Sequence, residues 1–191
     1  KLTIPFVGTR RGNYSHAALF GYMFGYASSA GSRKVQQYYS SSSASYYYIP
    51  TNLTEVVVTD ESHLSYGAFY GCVDLERVTL NEGVTDVGER AFYGCNNLEL
   101  LDFPDTVKSI GSYAFYGCER LSSEVFSSLP SNLKIIGSYA FKGCNVASGD
   151  IVIPEGVETI GSYAFKDCFN VTNIVVSSTV TNIGTYAFQN C

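Results

Sequence analysis

The sequence predicts a repeat solenoid, a right-handed superhelix with a parallel β-sheet on one face and short strands and turns on the other. Three observations carry that expectation. Ala-Phe-x-x-Cys occurs six times, at Ala68–Cys72, Ala91–Cys95, Ala114–Cys118, Ala140–Cys144, Ala164–Cys168 and Ala187–Cys191. Successive cysteines stand 23, 23, 26, 24 and 23 residues apart, close to a fixed period of one coil per repeat. The chain is 46% hydrophobic and 15% charged over 191 residues, which suits one ordered domain. A single coil cannot bury its own apolar residues, so the coils must stack around one elongated core. The repeated residues are then spent on packing, and binding must use the outer surface.

Within a coil the consensus runs Cys-x-x-Leu-x-x-Val-x-Leu, a turn, Val-x-x-Ile-Gly, then Ala-Phe-x-x-Cys. The clearest copy is Leu98, Leu101, Phe103, Pro104, Val107, Ile110, Gly111, Ala114, Phe115 and Cys118. Leu75, Val78 and Leu80 fill the strand positions of the preceding copy, and Val171, Ile174 and Val176 those of the last. Alternation of this kind marks a strand whose side chains point in and out by turns. Pro104, Pro130 and Pro154 are expected to follow that strand, where a missing N–H ends pairing. A second extended piece should cover residues 107–110. Gly88, Gly111, Gly137, Gly161 and Gly184 then mark a turn that a Cβ would obstruct, and Ala and Phe enter the core on a short helical turn. All six cysteines occupy one place in the repeat and should form a column of buried thiols. Their parallel Cα–Cβ vectors disfavour a disulfide.

This consensus resembles the BspA-like class of leucine-rich repeats, found in bacterial and protozoan surface proteins. The resemblance rests on Leu98-x-x-Leu101-x-Phe103-Pro104, Val107-x-x-Ile110-Gly111 and Ala114-Phe115-x-x-Cys118, with five parallel sets, and covers residues 50–191. It implies a cell-surface or secreted role in adhesion or recognition, with members of the class binding host matrix proteins or other microbes.

Two coils depart from the pattern. The third carries about three extra residues in the stretch 122–128, and the next has one more near Ala147-Ser148-Gly149; both are expected as loop bulges. Residues 1–49 depart further, as a partial repeat plus an irregular insert, with six regular coils over 50–191. Leu2-Thr3-Ile4-Pro5 reads as the end of a strand, and Pro50-x-x-Leu53-x-x-Val56-x-Val58 resumes the register. Between them lie Phe6, Tyr14, Phe20, Tyr22, Phe24 and Tyr26, then a Ser- and Tyr-rich run from Tyr38 to Tyr48. Residues 16–26 suit a short helix, weakened by Gly21 and Gly25, while Gly12, Gly31 and the serines read as loops. The insert is either a lateral lobe or cap packed on the end coil, or an adaptable Tyr/Ser binding surface.

Three functional readings follow. The favoured one is a protein-binding site on the exposed sheet face, at Val57, Arg77, Leu100, Asp102, Val152, Asn173 and Val175, with Glu55 and Thr79 also outward. Leu100, Val152 and Val175 would form one apolar column on neighbouring strands. The second is a glycan contact through Tyr46, Tyr47 and Tyr48 or through the stripe Tyr113, Tyr139, Tyr163 and Tyr186, with Tyr70, Tyr93 and Tyr116 beside it. The third is a stiff spacer that displays another domain.

Catalysis finds little support. His16 and His63 are the two histidines, both placed outside the regular coils, and no nucleophile, phosphate-loop, zinc or dinucleotide fingerprint accompanies them. Asp60-Glu61 and Glu82 read as solvated turn residues. No catalytic residue, metal ligand or cofactor is expected. The net charge is −5 with only twelve Lys plus Arg, which offers no basic field for nucleic acid, and no stretch approaches the roughly 18 apolar residues of a membrane span. Sequons stand at Asn13, Asn52 and Asn170. The chain opens on Lys1-Leu2 and closes at Cys191 without a following strand, leaving Ile183, Ala187 and Phe188 near an uncovered end. It therefore reads as a piece of a longer protein with further coils beyond it.

Overall fold

A computed structural model describes residues 1–8, 15–145 and 149–191. Gly12, Asn13 and Tyr14 of the insert, and Ala147 and Ser148 of the second irregular coil, lie outside the described residues.

The strands, in chain order, are β1 (Leu2–Ile4), β2 (Ser32–Tyr38), β3 (Ala44–Pro50), β4 (Glu55–Val58), β5 (His63–Leu64), β6 (Arg77–Thr79), β7 (Asp86–Val87), β8 (Leu100–Asp102), β9 (Ser109–Ile110), β10 (Ile135–Ile136), β11 (Gly149–Ile153), β12 (Thr159–Ile160), β13 (Val171–Val176) and β14 (Asn182–Ile183). One short helix, α1 (Ser123–Ser127), interrupts them. Each regular coil contributes a front strand and a back strand, and the coil that leads to β10 has α1 in place of the front strand. The front strands pair in parallel in the order β1-β4-β6-β8, with β11-β13 as a separate pair. The back strands form a parallel sheet of six in the order β5-β7-β9-β10-β12-β14. The fold is thus a solenoid with parallel sheets on two sides. His63 belongs to this regular framework, on β5, and not to a segment outside it.

The core between the sheets is a set of columns, one residue type per column. Front positions Val56, Val78, Leu101 and Ile151 and back positions Leu64, Val87, Ile110, Ile136 and Ile160 point inward and are buried. Phe69, Phe92, Phe115, Phe141, Phe165 and Phe188 stack ring on ring with centroids 5.1–5.4 Å apart. The offset a coil needs for this contact is close to the strand spacing, so backbone pairing and ring stacking reinforce each other.

The glycine column explains how the back of the coil closes. A Cβ on Gly88, Gly111, Gly137, Gly161 or Gly184 would lie 2.3–2.6 Å from backbone atoms of the preceding coil. Only a hydrogen fits there. The Ala-Phe segment that follows is a run of turns rather than the helical turn expected. Its backbone N–H groups alternate between their own turn and the next coil, as where Ala91 donates to the Gly88 carbonyl at 3.2 Å while Phe92 and Phe115 donate to the Ala114 and Ala140 carbonyls at 2.8 and 2.7 Å.

The cysteine column has a specific polar role. The thiols of Cys95, Cys118, Cys144, Cys168 and Cys191 donate to the carbonyls of Phe69, Phe92, Phe115, Phe141 and Phe165 at 3.1–3.4 Å. A buried residue of small volume with a weak donor is what this position requires. Burial pushes the Cys95 thiol up to about 12 and those of Cys72 and Cys118 well above their ordinary value, so they stay neutral.

The extra residues of the third coil form no loop bulge. They fold as α1, which takes the place of a front strand between β8 and β11 and buries Val125 and Phe126, the latter 5.2 Å from the Phe141 ring. Pro130 accordingly follows a helix, whereas Pro104 and Pro154 follow strands. An amphipathic pair of apolar residues separated from Leu121 and Leu129 by serines suits one helical turn better than a sheet edge.

The insert also differs from its expected loops. The serine- and tyrosine-rich stretch is an antiparallel hairpin of β2 and β3 closed by a turn over Ser40–Ser43. Alternating burial of Val35 and Gln37, and of Tyr47 and Ile49, shows the strand period that the composition obscured. Residues 16–26 hold two short 3-10 turns, His16–Ala18 and Phe20–Met23. Together these elements cover the first coil by imitating another. Phe20 N–H donates to the Ala68 carbonyl at 2.8 Å and its ring extends the Phe column at 5.0 Å from Phe69. Tyr38 extends the Tyr70 column at 4.9 Å, and the Gln37 amide reaches Cys72 Sγ at 3.3 Å. At the other end Ala187 is buried within its own coil, while Ile183 is exposed.

Candidate functional site

Two surfaces carry the residues singled out by sequence. The first is the outward face of the front sheet. Register places Glu55, Arg77 and Leu100 in one row and Val57, Thr79 and Asp102 in the next. Asp102 ties the rows together, accepting from Arg77 Nη1 at 3.2 Å and from Thr79 Oγ1 at 3.0 Å. Val57 and Leu100 flank this polar centre. All six side chains are at least partly accessible, and the buried Val56, Val78 and Leu101 fix the strands beneath them.

Val152, Asn173 and Val175 also face outward, but on β11 and β13. Val152 pairs with Val175, which is 52% exposed, and Asp150 accepts from Asn173 Nδ2 at 2.9 Å. Because α1 stands where a front strand would join the two sheets, Leu100 is not on a strand neighbouring Val152. The single apolar column expected from sequence is therefore two patches.

The second surface is built from tyrosines. Tyr113, Tyr139, Tyr163 and Tyr186 occupy the residue before each Ala-Phe pair and all take φ between +57° and +59°, a left-handed conformation unusual for a bulky side chain. Tyr113, Tyr139 and Tyr163 stack at 4.7 Å. Tyr38, Tyr70, Tyr93 and Tyr116 form a parallel column at 4.8–4.9 Å. Ring faces are consumed by neighbouring rings, so solvent meets mainly edges and hydroxyls, and the stripe is not a run of open platforms for sugar stacking. Burial pushes the Tyr70 phenol up to about 12 and raises Tyr66, Tyr93 and Tyr139 in the same direction.

Of the three hairpin tyrosines offered as a glycan contact, Tyr46 is 49% exposed and Tyr48 half-buried, but Tyr47 is fully buried against Tyr22 and Tyr26. Strand alternation turns Tyr47 inward, and no ligand reaches it. Glu61 likewise is no solvated turn residue. It is 4% exposed and accepts from the Val7 and Ser62 amides at 3.3 and 3.1 Å, in a loop locked by reciprocal bonds between its backbone and Asn81.

Sequence reasoning missed Arg90. It stands, with φ +55°, where four later coils have tyrosine and the first has Gly67. Its guanidinium lies 5.6 Å from the Tyr66 ring and 5.2 Å from the Tyr113 ring, and Nη1 donates to Tyr66 Oη. Aligning the coils on the residue before Ala-Phe would have exposed it as the exception. Among the described residues no three His, Cys, Asp or Glu side chains gather to hold a metal ion, and no helix is long and apolar enough to cross a membrane.

The stacked-coil geometry can be compared with known proteins. The sequence profile of the BspA type leucine rich repeat region, in six copies, matches residues 39–148 and 62–191. The chain belongs to the BspA-type leucine-rich repeat family. Solved members of the same architecture include a leucine-rich repeat protein from Bacteroides ovatus, 29% identical with a TM-score of 0.66, over 83% of this chain and 43% of that one. The Treponema pallidum leucine-rich repeat protein is 24% identical with a TM-score of 0.60, over 75% and 78% of the two chains, and shares the fold. So does the pneumococcal vaccine antigen PcpA, at 21% identity and a TM-score of 0.51, over 73% and 32%. This BspA-type chain thus spans less than half of the Bacteroides protein. No curated protein matches it. Leucine-rich repeat proteins are in general binding or structural modules rather than enzymes, and their repeats typically mediate protein interactions.

Proposed function

We propose that this BspA-type chain is a non-enzymatic recognition module, displayed at the cell surface or secreted, that binds an extracellular protein through the outward face of β4, β6 and β8. The observation that carries the reading is the patch itself. Val57 and Leu100 stand on either side of the Arg77–Asp102–Thr79 network, on strands whose inner residues are packed solid. Such a face offers apolar area with oriented polar groups at its centre and little conformational entropy to lose on binding. Family membership supports a binding module, and the resemblance to surface proteins supports an extracellular partner, a host matrix protein being the first class to try.

The test is binding of the chain to immobilised matrix proteins beside two double variants. Val57→Glu with Leu100→Glu places charge in the front patch, and Val152→Glu with Val175→Glu does so beyond α1. The front variant should weaken binding at least tenfold while the second retains it, both with unchanged circular dichroism. Loss only in the second variant, or in neither, would overturn the assignment.

A further inference from the structure

An open groove of about 280 Å³ lies between the two tyrosine columns at the level of the first coils, lined by Tyr38, Tyr70, Arg90, Tyr93 and Tyr113. The sequence explains why it exists. The outer column has tyrosine in coils three to six but Arg90 in coil two and Gly67 in coil one. Gly67 cannot be replaced by a ring, since a Cβ there would stand 1.9 Å from the Tyr38 carbonyl oxygen. The insert thus removes a ring from the outer column while Tyr38 adds one to the inner column. The difference is the groove.

Its chemistry is specific. Arg90 is held between the Tyr66 and Tyr113 rings with one of its five N–H donors given to Tyr66 Oη. That contact orients the planar fork in advance, as bidentate recognition of a carboxylate requires. Around it stand Tyr38, Tyr70, Tyr93 and Tyr113, whose phenol hydroxyls can both donate and accept. Glu89 lies 3.9 Å from Arg90 Nε, and the whole chain carries a net charge of −5. Among the described residues Arg90 is the one cation lining the groove, and the Glu89 carboxylate beside it together with the negative chain opposes a polyanion more strongly than a ligand with a single carboxylate. The volume equals roughly nine waters, far more than a lone anion fills and suited to a sugar unit whose hydroxyls meet the phenols.

We propose that this groove binds a glycan unit carrying one carboxylate, a sialic-acid or uronic-acid residue, with Arg90 pairing the carboxylate and the tyrosine hydroxyls pairing the ring hydroxyls. The site lies in the Ala-Phe turns, away from the front sheet, and does not depend on the protein-binding reading.

Saturation-transfer NMR and titration of the chain test it, with sialyllactose, a glucuronic-acid-terminated disaccharide, lactose as the neutral reference and a heparin fragment as the polyanion. At least one acidic sugar should bind tenfold or more tighter than lactose, and which one does so names the sugar class. Arg90→Tyr installs the residue that four other coils carry at this place, and should reduce the acidic sugar to the lactose level. Tyr93→Phe keeps the ring stack and should weaken binding severalfold, while Glu89→Gln should strengthen it. Equal binding of lactose and the acidic sugars, no binding by any of them, undiminished binding by a folded Arg90→Tyr and Tyr93→Phe pair of variants, or tightest binding by the heparin fragment would each overturn the proposal.

Discussion

Replacing Gly137 by alanine tests whether close coil stacking sets the stability of this solenoid. A Cβ there would lie 2.6 Å from the Gly111 carbonyl carbon and from the Ser112 nitrogen, both backbone atoms that cannot rotate away. Ordinary contact begins near 3.4 Å, so the coils must part locally by about 0.8 Å. The bonds that hold them there are Gly137 N–H to Ile110 at 2.8 Å, Tyr113 N–H to Ser138 at 2.9 Å and Phe115 N–H to Ala140 at 2.7 Å. Stretching each by that amount takes it to or beyond the limit of hydrogen bonding. At about 1 kcal/mol net per bond the loss is about 3 kcal/mol. Gly117→Ala is the control. Its φ is +71° but nothing lies within 4 Å of the added carbon, so only backbone strain of about 1–2 kcal/mol applies. Urea unfolding followed by far-ultraviolet circular dichroism measures both. A Gly137→Ala protein within 1 kcal/mol of the parent, or a Gly117→Ala protein that is the less stable of the two, would refute the stacking argument.

Other predictions concern the cap and the thiols. Gln37 is fully buried, accepts from Gly21 N–H at 2.6 Å and donates to the Tyr70 carbonyl at 3.0 Å. Gln37→Leu keeps the volume but strands both partners, at about 2–4 kcal/mol, and hydrogen exchange should accelerate across residues 32–50 while coils from residue 91 onward keep their protection. The buried thiols predict alkaline sensitivity. Their folded pKa lies above the ordinary value of 9.0, at about 12 for Cys95, so their contribution is complete below pH 9 and is lost as the pH climbs towards 12. Between pH 9 and 12 the unfolded chain releases thiol protons that the folded chain keeps on Cys72, Cys95, Cys118 and Cys144, so stability falls as the pH rises, and a Cys95→Ala variant, already weakened at pH 7, should show a shallower decline between pH 8 and 10. A decline equal to the parent's would contradict this. Arg33, paired with Asp74 at 2.8 Å on the cap surface, is solvent-exposed, and Arg33→Ala should shift the urea midpoint only slightly.

The columns of the core were legible because repetition turns one-dimensional spacing into three-dimensional alignment. Once Ala-Phe-x-x-Cys recurs at a fixed period, stacking follows for phenylalanine, cysteine and glycine alike. What repetition could not reveal were its interruptions. Residues 122–128 appear as a short insertion, and nothing in Ser-Ser-Glu-Val-Phe-Ser-Ser distinguishes a bulge from the helical turn that divides the front sheet and separates Leu100 from Val152. The hairpin was obscured for another reason. The serines suggested a loop, and the inward positions Val35, Gln37, Tyr47 and Ile49 include a polar residue and stand among tyrosines on the other face, so the two-residue period of burial has no matching apolar alternation in the sequence. The outward face of β4, β6 and β8 was readable from strand alternation alone. The Arg90 groove was not, because it arises from a residue that breaks the repeat and from a cap whose contacts join positions distant in sequence.

The most direct test of the recognition face is a hydrogen-exchange footprint of the chain saturated with a protein partner from the matrix screen. New protection should appear on β4, β6 and β8 and in the turns that follow them, with the tyrosine columns unchanged. Protection confined to the tyrosine columns, to β11 and β13, or to the hairpin would contradict the account.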